Sequence, residues 1–507
     1  MDSAKRVIVN TLAQHIRAVV NICLSLYSTR LVLDALGKTD YGIYALVAGV
    51  VAMLGFITNA LLVTTQRYIS YYTGSGDVDY VKTIFKNSMF LHVVFGIIMG
   101  IVIFLVKDEL ISSWLVIDVN RQFAAVEVLM CVMVMLVCSI VAAPFKALFI
   151  ARENIVYISI VEICDSVVKL LIALSLLRFG DDKLMLYAHL MLIIQVLNLL
   201  AFAVYALYKY PECSVRISLR DLNKKCQKQL CGFAGWTIYS MGCIVGRNQG
   251  MQVVLNHFFG TVLNSAYGIA TQVNGSVQFL AQAILNAMNP QIMKAEGRNE
   301  RSEMLRLAGI ASKYAFLLLS IPAIPLIIEM PSVLSFWLKE VPEHSVVFCR
   351  FILIAALCDQ LTVGLGSANQ AIGKIRNYSL VINTLKIMTL PVVWYMLKGK
   401  CSIELIMWTY VLIEFGCAMI RLPFLKYTAG MSIIQYSSEV FKPIILPLMS
   451  AVFIGLIMTI YIQCPLRFLG TILLSVVVET IVIYFIVLTR VEREKVQSYI
   501  SKKKKAK

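Results

Sequence analysis

Residues Ser28–Val47 read STRLVLDALGKTDYGIYALV, and far along the same chain residues Met251–Val273 read MQVVLNHFFGTVLNSAYGIATQV. Aligned on their glycines, Gly37 meets Gly260, and Tyr41, Gly42 and Ile43 meet Tyr267, Gly268 and Ile269 once three residues are inserted. Each stretch is an apolar run, a glycine-marked interruption and a second apolar run, the pattern of two membrane spans joined by a short loop. The segments that follow also end alike, TTQRYISYYTGSGD from Thr64 and NAMNPQIMKAEG from Asn286, each in a glycine-containing turn. Similarity at this separation reads as an internal repeat.

The composition agrees. Of 507 residues, 59% are hydrophobic and 15% charged, more apolar side chains than the cores of soluble domains hold and far too many for disorder. At about 20 residues per crossing of about 30 Å of hydrocarbon, they suffice for roughly fourteen spans. Apolar runs broken by charged or Gly/Pro-containing loops lie near residues 9–30, 41–64, 84–106, 122–144, 154–178, 184–208, 232–255, 265–289, 309–329, 345–367, 378–397, 402–422, 443–463 and 467–489. Six spans separate the two copies, an even number, so the copies share one orientation and are related by an axis along the membrane normal. We expect an all-α polytopic membrane protein with two pseudo-symmetric six-helix lobes around a central cavity. The N-lobe covers 1–210, a cytoplasmic linker 211–231, the C-lobe 232–425, and a final helix pair with a basic tail 426–507. That design suits alternating access and favours a transporter over a channel.

Lys and Arg number 46 against 29 Asp and Glu, a net charge of +17. Cations in short loops stay cytoplasmic. Arg216, Arg220, Lys224, Lys225 and Lys228 in the central loop and Lys502–Lys505 in the tail fall on the side of the N-terminus, so both termini are expected in the cytoplasm. The first apolar run follows Lys5 and Arg6, carries Arg17 and closes without a small-residue cleavage site, so it reads as a span and not a signal peptide. Topology and anionic lipid account for the charge, and without a soluble basic face no nucleic acid partner is expected. The 13 Cys lie mostly in apolar runs and form no metal or disulfide framework. His15, His92, His189, His257 and His344 are scattered, and neither a P-loop nor a dinucleotide motif is present, so no catalytic residue, metal or cofactor is expected.

Five stretches carry a resemblance: GRNQGMQVVLNHFFG from Gly246, LNSAYGIATQVNGSV from Leu263, NAMNPQIMKAEG from Asn286, and STRLVLDALG and DYGIYALVAGV near the start. Together they resemble bacterial O-antigen and capsular polysaccharide flippases, whose superfamily includes the multidrug and toxic-compound extrusion (MATE) antiporters and the lipid II flippases. The resemblance implies a protein of the bacterial inner membrane that moves an undecaprenyl-pyrophosphate-linked oligosaccharide from the inner to the outer leaflet by a rocking of two lobes. It further implies an H+ or Na+ counter-ion, contact with membrane lipids and a polysaccharide polymerase partner. A multidrug or cation antiporter of the same superfamily and a non-transporting membrane scaffold are the alternatives. The first span has no Asp or Glu between Val7 and Thr29, which weakens the antiporter reading, because the resemblance would put an acidic ion site in the N-lobe.

Ionisable residues inside spans are expensive, from about 2.5 kcal/mol upward, so each is a functional hypothesis. The cations are Arg17, Lys169, Arg247 and Lys386 in spans 1, 5, 7 and 11, equivalent spans under the repeat, and a cavity they line suits a pyrophosphate. Arg17 and Lys386 lie about 12 Å from a helix end, so snorkelling competes with cavity lining. Lys169 follows Asp165 by four residues, the spacing of an intrahelical ion pair. Arg247 has no acid within a helical turn and reads as cavity-lining. Asn274, Gln278, Gln282 and Asn286 recur every four residues as one amide stripe, fit either to hold helices together or to line a wet vestibule that binds sugar hydroxyls. Glu162, Asp165, Asp359 and Glu414 are the candidates for ion coupling, with Glu127 and Glu479 the other intramembrane acids. Gly242, Gly246 and Gly250 suit close helix packing, and Pro322, Pro325 and Pro331 mark a helix whose hydrogen bonding is interrupted.

Overall fold

The computed structural model describes residues 3–114, 117–176, 182–213, 222–338, 340–462, 464, 466–490 and 493–494. Arg216, Arg220 and Lys502–Lys505 lie outside them. The fold is all-helical, with no strand among the described residues. In order come α1 (Ser3–Ala52), α2 (Gly55–Ser75), α3 (Val78–Glu109), α4 (Gln122–Ala151), α5 (Ile155–Ser175), α6 (Lys183–Lys209), α7 (Lys224–Gly297) and α8 (Arg301–Trp337). They are followed by α9 (Ser345–Gln360), α10 (Val363–Ile372), α11 (Ile375–Tyr378), α12 (Thr384–Lys398), α13 (Ile403–Ala429), α14 (Ile433–Tyr436), α15 (Lys442–Tyr461) and α16 (Arg467–Val482). Wider turns, Ser379–Asn383 and Ser437–Phe441, carry α11 into α12 and α14 into α15.

Gly37 (φ 76°, ψ 171°) inside α1 and Gly260 (φ 73°, ψ −163°) inside α7 are non-helical. A Cβ bars other residues from this conformation, and these are the two glycines that the alignment pairs. Each long helix is thus two arms meeting at a glycine kink.

Among the described residues, ten helical stretches are long and apolar enough to cross a membrane, and eleven if the bent pair α9–α10 counts as one span. The expected count of fourteen is not reached by apolarity. Span 5 falls on α5, which carries Glu162, Asp165 and Lys169, and spans 7 and 8 fall on the polar arms of α7. Several helices turn large apolar side chains outward, among them Ile97, Ile101 and Leu105 of α3 and Leu473 and Val477 of α16. Such faces fit lipid as solvent, and the chain is a multi-pass membrane protein.

The chain divides into two compact units, Met1–Gly242 with Asn289–Glu300, and Cys243–Met288 with Arg301–Lys507. These divisions fall within α7 and between α7 and α8. The helix already begins at Lys224, where the Asn223 side chain accepts hydrogen bonds from Lys225 N and Cys226 N, so the second half of the expected 211–231 linker is largely helical. In the first unit Val47, Leu129, Ile140 and Leu184 build the core. Gly74 there lies directly against the Lys294 backbone and Gly297 against that of Tyr71, so the two similar segment ends meet through glycines that leave no room for a side chain.

Candidate functional site

Among the charged side chains of the described residues, two groups contain the intramembrane cations and ion-coupling candidates singled out above, one in each unit. In the first unit α5 carries Glu162, Asp165, Ser166 and Lys169 at spacings of three, four and seven, one face of a helix. The opposite face, with Ile160, Val167, Leu171 and Leu174, is exposed. The polar face is therefore inward and the apolar face outward, the inverse of a soluble amphipathic helix. Arg17 Nη1 of α1 donates to Glu162 Oε2 at 2.6 Å, and Lys146 Nζ of α4 to Glu162 Oε1 at 3.2 Å. Lys169 pairs with Asp165 at 2.8 Å, while Asn198 Nδ2 of α6 donates to Asp165 Oδ1 at 2.7 Å. Ser166 Oγ donates to Asn21 Oδ1 at 3.0 Å.

Part of this group borders open space. A pocket of about 250 Å³ is lined by Lys146, Glu162, Asp165, Lys169, Gln195 and Asn198 among others. A second pocket, of about 460 Å³, shares Ser139, Lys146 and Gln195 with it and adds Thr58 and Asn59 of α2. Lys169 is 37% exposed, Lys146 32% and Glu162 30%, so the charges remain accessible. Three cations, Arg17, Lys146 and Lys169, face two carboxylates, a surplus of one positive charge. The Lys169–Asp165 pair forms as the spacing implies, and Lys169 also lines the pocket, so pairing and lining are not exclusive. Arg17 does not snorkel free but is tied to Glu162.

The second unit holds a drier network. Arg247 of α7 is ion-paired with Glu414 of α13 and lies 5.0 Å from the Tyr410 ring centre. Lys386 Nζ of α12 lies 2.9 Å from both Glu414 Oε2 and Asp359 Oδ1. Arg421 Nη2 of α13 donates to Asp359 Oδ1 at 2.7 Å. Arg247, Lys386, Glu414 and Arg421 are all buried. Arg247 thus has an acid after all, 167 residues away in sequence, and in this structure it is walled in. Lys386 likewise does not snorkel.

Asp359 stands where α9 breaks before α10, with a bend of 44°. The backbone groups freed there are met by side chains. Arg421 Nη1 donates to the Asp359 carbonyl at 3.2 Å, Tyr436 OH to the Leu361 carbonyl at 2.9 Å, and Gly364 N–H to Ser312 Oγ at 2.9 Å. Interrupted helices inside membranes require such satisfaction.

The amide stripe of α7 is present but splits in role. Gln282 Nε2 donates to Asn286 Oδ1 at 3.0 Å, which ties two of the four together. Gln278 is half-buried, and Asn274 Oδ1 is buried with no hydrogen-bond partner. Two cations of these networks, Lys146 and Arg421, were not among the expected intramembrane residues. Lys146 lies beyond the expected span end at 144, but α4 runs through Pro144 to Ala151. Arg421 lies one residue inside the expected end at 422, where it reads as a terminal charge, but α13 continues to Ala429, where Gly430 closes it at φ 70°. That glycine was the available signal.

No protein-family model matches the chain, and no curated protein matches it. Solved structures do. A MATE protein in complex with MaL6 superposes with a TM-score of 0.73 at 13% identity, over 85% of this chain and 97% of that one. A MOP superfamily transporter from Pyrococcus furiosus, described as having a binding pocket of reverse polarity that suggests a different function, gives 0.73 at 14% over 85% and 96%. An outward-facing MATE family multidrug resistance transporter of the MOP superfamily gives the same figures. The fold of this chain is MATE-like.

Proposed function

We propose that the protein is a transporter that flips an undecaprenyl-pyrophosphate-linked oligosaccharide, an O-antigen or capsule repeat unit, from the inner to the outer leaflet by alternating access. The observation that carries this reading is the charge group of the first unit: Lys146, Lys169, Glu162 and Asp165 line the pocket, and Arg17, tied to Glu162, brings the cations to three against two carboxylates. A surplus cation in a site of low dielectric attracts an anion such as pyrophosphate, and the neighbouring Asn59, Gln195 and Asn198 offer donors and acceptors to sugar hydroxyls. The MATE-like fold supports transport, and the paired kinks at Gly37 and Gly260 support two lobes related by a repeat. In the second unit Arg247 and Lys386 serve the buried network, and the amide stripe from Asn274 to Asn286 supplies vestibule groups. Coupling to H+ or Na+ falls to Glu162 and Asp165, which line an open pocket although paired with Arg17, Lys146 and Lys169, since the cations that engage Asp359 and Glu414 are buried. The protein sits in the bacterial inner membrane with both termini cytoplasmic, beside the polymerase that consumes its product.

The test is complementation of a flippase-null strain with a matched glycan pathway. The Lys146→Ala/Lys169→Ala double variant should lower surface polysaccharide at least tenfold at unchanged amounts of inserted protein, with lipid-linked sugar accumulating inside. Normal export by that variant sinks the assignment. The presence of Glu162 and Asp165 in the same pocket favours a second reading, a cation antiporter. That protein would tolerate the lysine losses and fail on Glu162→Gln.

A further inference from the structure

Glu479 on α16 belongs to neither charge group. It is fully buried where α16 meets α8 and α15. Its Oε1 lies 2.5 Å from Ser320 Oγ of α8, and the same Oγ lies 2.9 Å from the Leu317 carbonyl oxygen. A serine hydroxyl has one proton to donate, and a carbonyl can only accept. An ionised carboxylate also only accepts, so with Glu479 charged one of these two contacts sets acceptor against acceptor with no proton between. A neutral Glu479 removes the conflict: its carboxyl O–H donates to Ser320 Oγ, and the Ser320 O–H donates to Leu317.

The surroundings agree. Glu479 Oε2 is buried without a hydrogen-bond partner, a placement that costs an anion several kcal/mol and a neutral acid much less. The charged groups on the elements packed against it are few. Besides Glu479, α16 carries Arg467, α15 carries Lys442, and α8 carries Arg301, Glu303, Arg306, Lys313 and Glu329. Arg467 is spent on Glu329 at 2.9 Å, and it stands twelve residues from Glu479, about 18 Å along the helix. Arg306 is paired with Glu303. Lys313 precedes Ser320 by about 10 Å along α8 and lies 4.8 Å from the Tyr314 ring centre. None of these cations is at the level of Glu479 on its own helix.

We propose that Glu479 is a proton-binding site, holding a proton against Ser320 in this conformation. The helix that supplies Ser320 is weakened just beyond it, because Pro322 and Pro325 lack the N–H groups that would bond to the carbonyls one turn back. Bending of α8 there separates Ser320 from the acid and exposes it for proton release. In a transporter, a reading on which this clause rests, the site makes H+ a counter-ion, carried at Glu479 in addition to any ion bound at Glu162 and Asp165.

Infrared pH-difference spectroscopy of the full-length protein in liposomes tests the site directly. At neutral pH the wild type should show the carbonyl stretch of a protonated carboxylic acid, which Glu479→Gln lacks and Ser320→Ala shifts. The band persisting undiminished in Glu479→Gln, or standing unmoved in Ser320→Ala, overturns the proposal. If Glu479→Gln does not insert, the Ser320→Ala band decides alone. A band that behaves as expected without substrate-driven proton movement leaves the site standing and removes its part in transport, whereas absence of the band removes the site whatever transport shows.

Discussion

Replacing Glu414 by Gln keeps the size of the side chain and removes one charge from the network of the second unit. Arg247, Lys386 and Arg421 then face Asp359 alone, and the local sum rises from one positive charge to two. Glu414 is the partner of Arg247 and lies 2.9 Å from Lys386, so two attractions are lost together. Each is worth about 4 kcal/mol of Coulomb energy at about 4 Å and an effective dielectric of about 20. Part of that is offset by solvation the groups regain, and the loss of one partner of a buried pair typically costs about 3–5 kcal/mol. We expect about 4 kcal/mol, close to a thousandfold in the unfolding equilibrium. Denaturant unfolding in detergent should show a lowered midpoint at unchanged slope. The Arg247→Met/Glu414→Leu double variant removes the pair as a unit, leaves Lys386 and Arg421 on Asp359, and should recover more than half of the loss. A cost below about 1 kcal/mol for Glu414→Gln, the scale of a solvated surface pair, would refute the reasoning.

Gly37→Ala and Gly260→Ala should each destabilise by about 1–3 kcal/mol, because their backbone conformation excludes a Cβ even where space is open. Gly42→Ala, on a helical glycine with no atom near its Cβ direction, is the control in the same thermal-unfolding series and should be neutral or stabilising. Asp182, just before α6, caps that helix and pairs with Arg121 at 2.8 Å. Burial opposes its charge, but the hydrogen bonds from Arg121 and from the Met185 and Leu184 N–H groups outweigh it and hold the carboxyl below its usual range. A lowered folded-state value gives stability that is present above the unfolded value of about 3.9 and lost as pH falls through the folded one. Acidification below about pH 4 should therefore loosen the wild type near α6, read as faster hydrogen exchange there. Asp182→Asn should show no such acid step.

The helical architecture was legible because lipid selects apolar runs of a fixed length; Gly37 and Gly260 were marked by the repeat but read as loops between spans, whereas α1 and α7 pass through them with a kink that only glycine tolerates. Partnership was not legible. Arg247 and Glu414 lie far apart in sequence, and no local pattern reports that α7 and α13 touch. The end of the fourth span was misplaced because a proline falls inside the helix: Lys146 lies beyond Pro144, and α4 runs on to Ala151. Arg421, inside its expected span but one residue from the end, read as a terminal charge although α13 runs on past Pro423 to Ala429. The Glu329–Arg467 pair went unnoticed for the same reason, since both residues sit near helix ends where charge is expected to be solvated.

Both charge groups set three cations against two carboxylates, yet they meet the surplus differently. In the second unit Asp359 stands at the end of α9, where unpaired carbonyls carry roughly half a negative charge. Arg421 donates to the Asp359 carbonyl as well as to its carboxylate, so the broken helix supplies the missing negative potential and the network closes on itself. In the first unit Glu162, Asp165 and Lys169 lie in the middle of the unbroken α5, and Arg17 lies well inside the first arm of α1. None of these four stands at a helix end, and the surplus is left to whatever enters the pocket. A closed network and an open one built from the same charge ratio fit the proposed anion binding in the first unit and cohesion in the second. The two sets of variants should then part cleanly: Glu414→Gln lowers stability, while Lys146→Ala/Lys169→Ala, at partly exposed positions, spares stability and lowers transport.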